Sequence, residues 1–146
     1  MDSSLIYLAQ TDTTVGFLSS RSDRLSEAKQ RDPNQKILQV VDSLKTLQNI
    51  QRVPNRFKKK VRNSHKTTFI YPSKKAFRVV NDTNHRDFLK KFHLLYSTSA
   101  NITKQNFCLE TAVEKSDVVV FSKYGFIEKS ASSIFLLGTK KIKKIR

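Results

Sequence analysis

Three groups of residues in this chain could do chemistry. Lys29 and Arg31 stand one residue apart, with Lys36 five further on. A lysine and an arginine held close offer a point charge and a planar fork, which together can neutralise a triphosphate. Cations at a helix end also complement the helix dipole, worth about 0.3–1 kcal/mol each. Ser97, Ser99 and Asn101 stand where the apolar run Leu94-Leu95-Tyr96 gives way to small polar side chains. Such side chains donate and accept without bulk, which suits a phosphate or a carboxylate at the carboxyl end of a strand. Hydroxyl-rich strand exits serve equally as turns and helix caps. Thr11 and Thr13 follow the first apolar run, where they could line a small polar pocket or close a turn.

The rest of the sequence limits the chemistry. Neither G-x-x-x-x-G-K-(S/T) nor G-x-G-x-x-G occurs, so no P-loop or dinucleotide fingerprint is present. His65, His85 and His93 show no metal-ligand spacing, and no protein metal site is expected. His85 and His93 are expected at the surface, and Cys108, between Phe107 and Leu109, as a buried thiol. One cysteine cannot form an internal disulfide framework. No apolar run approaches the ~20 residues that span a bilayer. Met1-Asp2-Ser3-Ser4 lacks a basic leader pattern, so a cytoplasmic protein without a membrane partner is expected. Lys and Arg number 28 against 12 Asp and Glu, a net charge of +16 that attracts polyanions. Many of these cations fall in two runs, Arg56 to Lys66 and Lys140 to Arg146.

The elements that must position these groups follow from periodicity and punctuation. Strands are expected at 5–9, 36–41, 67–71, 76–80, 117–121, 133–137 and 141–145, with the run at Leu94 ending in the polar stretch. The segment 10–17 is expected as a polar loop closed by Gly16. Helices are expected after a cap at Ser22 or Asp23, after Asp42 or Ser43 with Leu44, Leu47 and Ile50 on one face, and from Asn55 with Phe57 and Val61 inward. Further helices are expected at 85–93 and around Leu109, Ala112 and Val113. Mixed strands and helices without strict alternation predict a single α/β domain, 1–146, with a twisted mixed sheet and flanking helices.

The order of the motifs adds a resemblance. Gln10-Thr11-Asp12-Thr13-Thr14-Val15-Gly16 resembles the P-T-(D/E)-T-x-Y-G segment of the YrdC family. Lys29-Gln30-Arg31 is similar to its K-x-R motif, and Ser99-Ala100-Asn101 to its S-x-N motif. Thr67 to Tyr71, Phe77-Arg78-Val79 and Ser132-Ser133-Ile134 resemble its T-F, V-R-V and S-T-(I/V) segments, so the likeness runs from about Leu5 to Arg146. Gln10 stands where the family has proline, Val15 where it has an aromatic, and the helix that usually precedes the first strand has no counterpart.

The family are threonylcarbamoyl-AMP synthases. The resemblance implies that L-threonine, bicarbonate and ATP give threonylcarbamoyl-adenylate and pyrophosphate, with Mg²⁺ carried on the phosphates. A downstream tRNA threonylcarbamoyltransferase would consume the product. The resemblance makes Lys29 and Arg31 the catalytic cations. It assigns ATP to Lys36, Thr68, Ser97, Ser99, Asn101 and Ser133, and threonine to Thr11, Thr13 and Arg78. The alternative from the charge is a non-catalytic module on the same fold that binds tRNA or other double-stranded RNA.

Overall fold

The computed structural model describes residues 1–146. In chain order the elements are β1 (Tyr7–Gln10), β2 (Val15–Ser19), α1 (Ser22–Ala28), β3 (Leu38–Val41), α2 (Leu44–Gln48), a 3-10 turn (Asn55–Phe57) and α3 (Lys58–Asn63). They continue with β4 (Thr67–Ile70), β5 (Ala76–Val79), α4 (Thr83–Leu89), β6 (Leu94–Ser99), α5 (Leu109–Lys115), β7 (Val118–Val119), β8 (Ser133–Leu137) and β9 (Ile142–Lys144). The fold is α/β with mixed strand pairing, as expected from the sequence. The chain resolves into two compact units, Met1–Ile37 with Leu95–Ser130, and Leu38–Leu94 with Ala131–Arg146.

In the first unit β1 and β2 form an antiparallel hairpin, β7 adds to β1 in parallel, and β6 adds to β2 antiparallel. The expected polar loop at 10–17 is therefore half strand. Val15, Phe17 and the residues between them are buried, because β2 has neighbours on both edges. The turn itself is only Thr11–Thr14. Thr11 Oγ1 accepts from the Thr13 and Thr14 amides at 3.2 Å each and donates to Thr14 O. Leu8, Phe17, Leu25 and Ala112 belong to the core of this unit.

In the second unit β5 lies between β3, parallel, and β4, antiparallel, and β8 and β9 continue outward from β4. Val41, Leu47, Val61, Phe69 and Phe77 build its core. Ser43 caps α2 by accepting the Thr46 amide at 3.1 Å, and Asp82 caps α4 by accepting the His85 amide at 2.9 Å.

Several surface assignments differ from the periodicity. His85 is 1% exposed, because it stands four residues before the buried Leu89 and so shares the inward face of α4. Cys108 is exposed, since it precedes α5 instead of lying within it. Ile50 is 47% exposed, because α2 ends at Gln48 before its apolar stripe reaches that residue. The cap of α1 is Arg21, which makes no side-chain capping bond, rather than Ser22 or Asp23.

Gly16 leaves no room for a side chain. A Cβ placed there would lie 2.8 Å from Thr11 Cγ2 and 3.1 Å from Thr98 O. Gly16→Ala should therefore cost about 1–3 kcal/mol in a urea-unfolding measurement, and an unchanged midpoint would contradict this packing.

Candidate functional site

The helix end that carries Lys29 and Arg31 is a Schellman motif. The Arg31 amide donates to Ser26 O at 2.9 Å and the Gln30 amide to Glu27 O at 3.0 Å. Gln30 takes the left-handed conformation this requires, at φ +53°. The chain reverses there, and both cationic side chains reach the end of β6. The single residue between Lys29 and Arg31 is thus the turning residue of the cap.

Lys29 is 4% exposed. Its ammonium donates to four oxygens: Ser99 O at 2.9 Å, Ser99 Oγ at 3.1 Å, Asn101 O at 2.9 Å and Asn101 Oδ1 at 3.0 Å. Three N–H donors face four acceptors, so the group is fully occupied by the protein. Ser99 Oγ donates in turn to Asn101 Oδ1, and the Asn101 amide donates to Gln105 O at 2.7 Å. The Thr103 amide donates back to Lys29 O at 3.1 Å. Burial, with the Arg31 charge adding, lowers the Lys29 pKa from 10.5 to about 8.

Arg31 is held loosely. Its terminal nitrogens reach Thr98 Oγ1 and Lys36 O only at 3.5 Å each. Its Nε is buried without a hydrogen-bond partner. A guanidinium so placed retains donors for an oxyanion. Burial lowers its pKa as well.

Ser99 and Asn101 also line a cavity of about 270 Å³, with Thr14, Val15, Phe107 and Glu128 among its other walls; neither Lys29 nor Arg31 lines it. Gln10 fixes one approach to it. Its side-chain amide donates to Ile127 O at 2.9 Å and accepts the Ile127 amide at 2.7 Å. Where the resembling family has proline, this chain thus uses an amide to hold the segment leading to Glu128.

The sequence-predicted residues divide between the units. Lys29, Arg31, Ser99 and Asn101 come together in the first. Ser97 is buried two residues before Ser99 on the same strand, and Thr11 and Thr13 are buried in the hairpin turn. There the turn-closing role is the one Thr11 fills. Lys36 is exposed, and it contributes its carbonyl to Arg31. In the second unit Thr68 Oγ1 accepts from Arg78 Nε and Nη2 at 3.2 and 3.1 Å and lies 3.2 Å from Ser132 Oγ. Arg146 Nη2 also donates to Ser132 Oγ, at 3.2 Å. The hydroxyl in this network is that of Ser132, whereas Ser133 binds Lys66 O through its backbone amide. Sequence reasoning assigned no site role to Thr98 and Ser132, both adjacent to residues it singled out.

No protein-family model matches the sequence, and no curated protein matches it either. Solved structures do match in shape. A Methanobacterium thermoautotrophicum protein determined in solution superposes with TM-score 0.69 at 18% identity, over 98% of this chain and 80% of that one. Escherichia coli YciO gives TM-score 0.75 at 15% identity, over 98% and 82%. Pyrococcus abyssi Sua5 complexed with L-threonine gives 0.76 at 16% identity, over 92% of this chain. The chain spans about half of Sua5, 47% of its length. The likeness is one of fold.

The Lys29 linkage has a defined sign. Unfolded, the group titrates near 10.5, and folded at about 8. Between those values the unfolded chain holds a proton that the folded chain has released, so stability rises with pH. Relative to Lys29→Met, the wild-type protein should gain up to roughly 3 kcal/mol from pH 8 to 10.5. Parallel pH profiles in urea unfolding would contradict this assignment.

Proposed function

We propose that the chain is a threonylcarbamoyl-AMP synthase, with 1–146 acting as one YrdC-like domain. The observation that carries this reading is the division of labour between the two cations. Lys29 is fully bonded to Ser99 and Asn101, while Arg31 keeps a buried Nε without a partner beside them. A closed cation that shapes the pocket and an open one that meets an oxyanion are what adenylate formation needs. The fold shared with the threonine-bound Sua5 supports the same reading.

In the proposed reaction the amine of L-threonine attacks the carbon of bicarbonate, a C–O bond breaks and water leaves, and an oxygen of the resulting carbamate attacks the α-phosphorus of ATP. The α–β bridging bond breaks, and pyrophosphate leaves with the electron pair. Most of the catalysis is positioning and charge neutralisation. Arg31 would hold phosphate or carboxylate charge, and Lys29 would add its field from beneath while keeping Ser99 and Asn101 in place. Ser97 and Lys36 would extend the ATP contacts, and Thr13 would face the threonine side. No three His, Cys, Asp or Glu residues gather to hold a metal ion, so Mg²⁺ would enter as MgATP. The product would pass to a tRNA threonylcarbamoyltransferase.

Purified protein given MgATP and bicarbonate should release pyrophosphate only when L-threonine is added. Arg31→Ala should weaken ATP binding at least about tenfold, the loss of one charge-assisted contact. Its folding stability should change by less than about 0.5 kcal/mol, since its bonds in the protein are long. Threonine-independent or absent pyrophosphate release, with ATP affinity unmoved by Arg31→Ala, would overturn the reading.

A further inference from the structure

Positive charge is shared unevenly between the units. Leu38–Leu94 with Ala131–Arg146 holds 19 of the 28 Lys and Arg and three of the 12 Asp and Glu. Met1–Ile37 with Leu95–Ser130 holds nine of each and is neutral. The cavity of about 270 Å³ lies wholly in that neutral unit, and no lysine or arginine lines it. Its one charged wall is Glu128. In a chain of net charge +16, this cavity carries the opposite sign.

The Glu128 carboxylate is also unspent. In the same unit Asp23 pairs with Arg21 at 2.6 Å, and Asp117 with Arg24 at 2.9 Å. Glu128 makes no hydrogen bond or ion pair within the protein, and neither do the side chains of Thr14, Gln105 and Asn106 on the neighbouring walls. Ser99 and Asn101 differ, since their side chains are turned to Lys29 and to each other. Val15 and Phe107 close the cavity with apolar surface. The two bonds from the Gln10 amide hold both backbone groups of Ile127, so the residue before Glu128 is fixed to the end of β1.

This set of groups suits one kind of ligand. An ammonium has three N–H donors and no acceptor. One carboxylate with hydroxyl and amide oxygens around it can take all three donors, and an aromatic ring attracts the same charge through its face. A phosphate or carboxylate alone would meet repulsion from Glu128. A bound metal ion would call for further oxygen or nitrogen ligands of the kind that three clustered His, Cys, Asp or Glu residues supply, and no such cluster exists. The volume is close to the lower end of the roughly 300–1,000 Å³ of small-molecule sites.

We propose that Glu128 is the counter-charge for a primary ammonium bound in this cavity, and so determines the class of ligand the cavity accepts. Two sources offer that group: the α-ammonium of an amino-acid substrate, or a free small amine. The first source rests on the reading proposed above, whereas the ammonium chemistry does not. The role is recognition, and no proton transfer is assigned to it.

Isothermal titration calorimetry at neutral pH with three probes tests it. L-threonine carries amine, hydroxyl and carboxylate. 1-Amino-2-propanol lacks the carboxylate, and 3-hydroxybutyrate lacks the amine. Both amines should bind, and Glu128→Gln should weaken each at least about tenfold, the loss of one charge-assisted contact. The affinity for MgATP should not move in that variant. Gln10→Ala should weaken both amines in the wild-type background and add nothing in the Glu128→Gln background, because it acts only through the placement of Glu128. Glu128 is exposed, and circular dichroism would confirm that the variants fold. L-threonine binding tighter than 1-amino-2-propanol assigns the site to the substrate, and L-threonine binding no tighter assigns it to a free amine. Failure of both amines to bind, 3-hydroxybutyrate binding as tightly as L-threonine, or amine affinities indifferent to Glu128→Gln would each overturn the proposal. Amine binding that depends on Glu128, without pyrophosphate release, would count against the proposed function alone.

Discussion

An ammonium group removed from water is tolerated only where oxygens replace its hydration shell. Lys29 meets that condition with four oxygens from two residues, Ser99 and Asn101, some seventy positions away in the chain. The bond set joins the end of α1 to the end of β6. It also fixes the turn at Ala100, whose amide donates to Val15 O at 2.9 Å. The end of α1 and the end of β6 are thereby held by one side chain, and the backbone bond at Ala100 adds the hairpin strand. The same saturation leaves Lys29 no free donor and passes the role of meeting a ligand to Arg31.

The two units use charge in opposite ways. In the neutral unit, two cations are drawn out of water at one point, where a low local dielectric strengthens each interaction. In the basic unit the cations stay solvated and spread over a helix and an edge strand, where each is worth little singly and many act together on a polyanion. The lysines on β9 also discourage strand addition at that edge.

Much of the first site was legible because its geometry is local. The spacing of Lys29 and Arg31 is that of a helix cap, and the polar exit after Leu95 is a strand end, so each motif carries its own placement. Tertiary choices were less legible. Val15 to Phe17 reads as the end of a polar loop because Gly16 and the threonines before it hide the start of a five-residue strand that is buried only through its neighbours. His85 reads as a surface residue, yet it lies one turn before Leu89 on the buried face of α4. Ser132 and Thr98 were given no site role because a hydroxyl's partner is set by strand register, which the sequence does not print. The gathering of positive charge into one unit depends on which strands pair, and it emerged only with the fold.

The central claim is that Lys29 is a saturated internal cation and Arg31 the open one. Nitrogen-15 NMR of the side chains, with MgATP added at neutral pH, tests it directly. The account predicts that the Arg31 Nε–H signal shifts and becomes protected, while the Lys29 ammonium, already protected in the free protein, keeps its protein partners. A Lys29 signal that titrates and exchanges like a surface lysine, with Arg31 unmoved by the nucleotide, would contradict it.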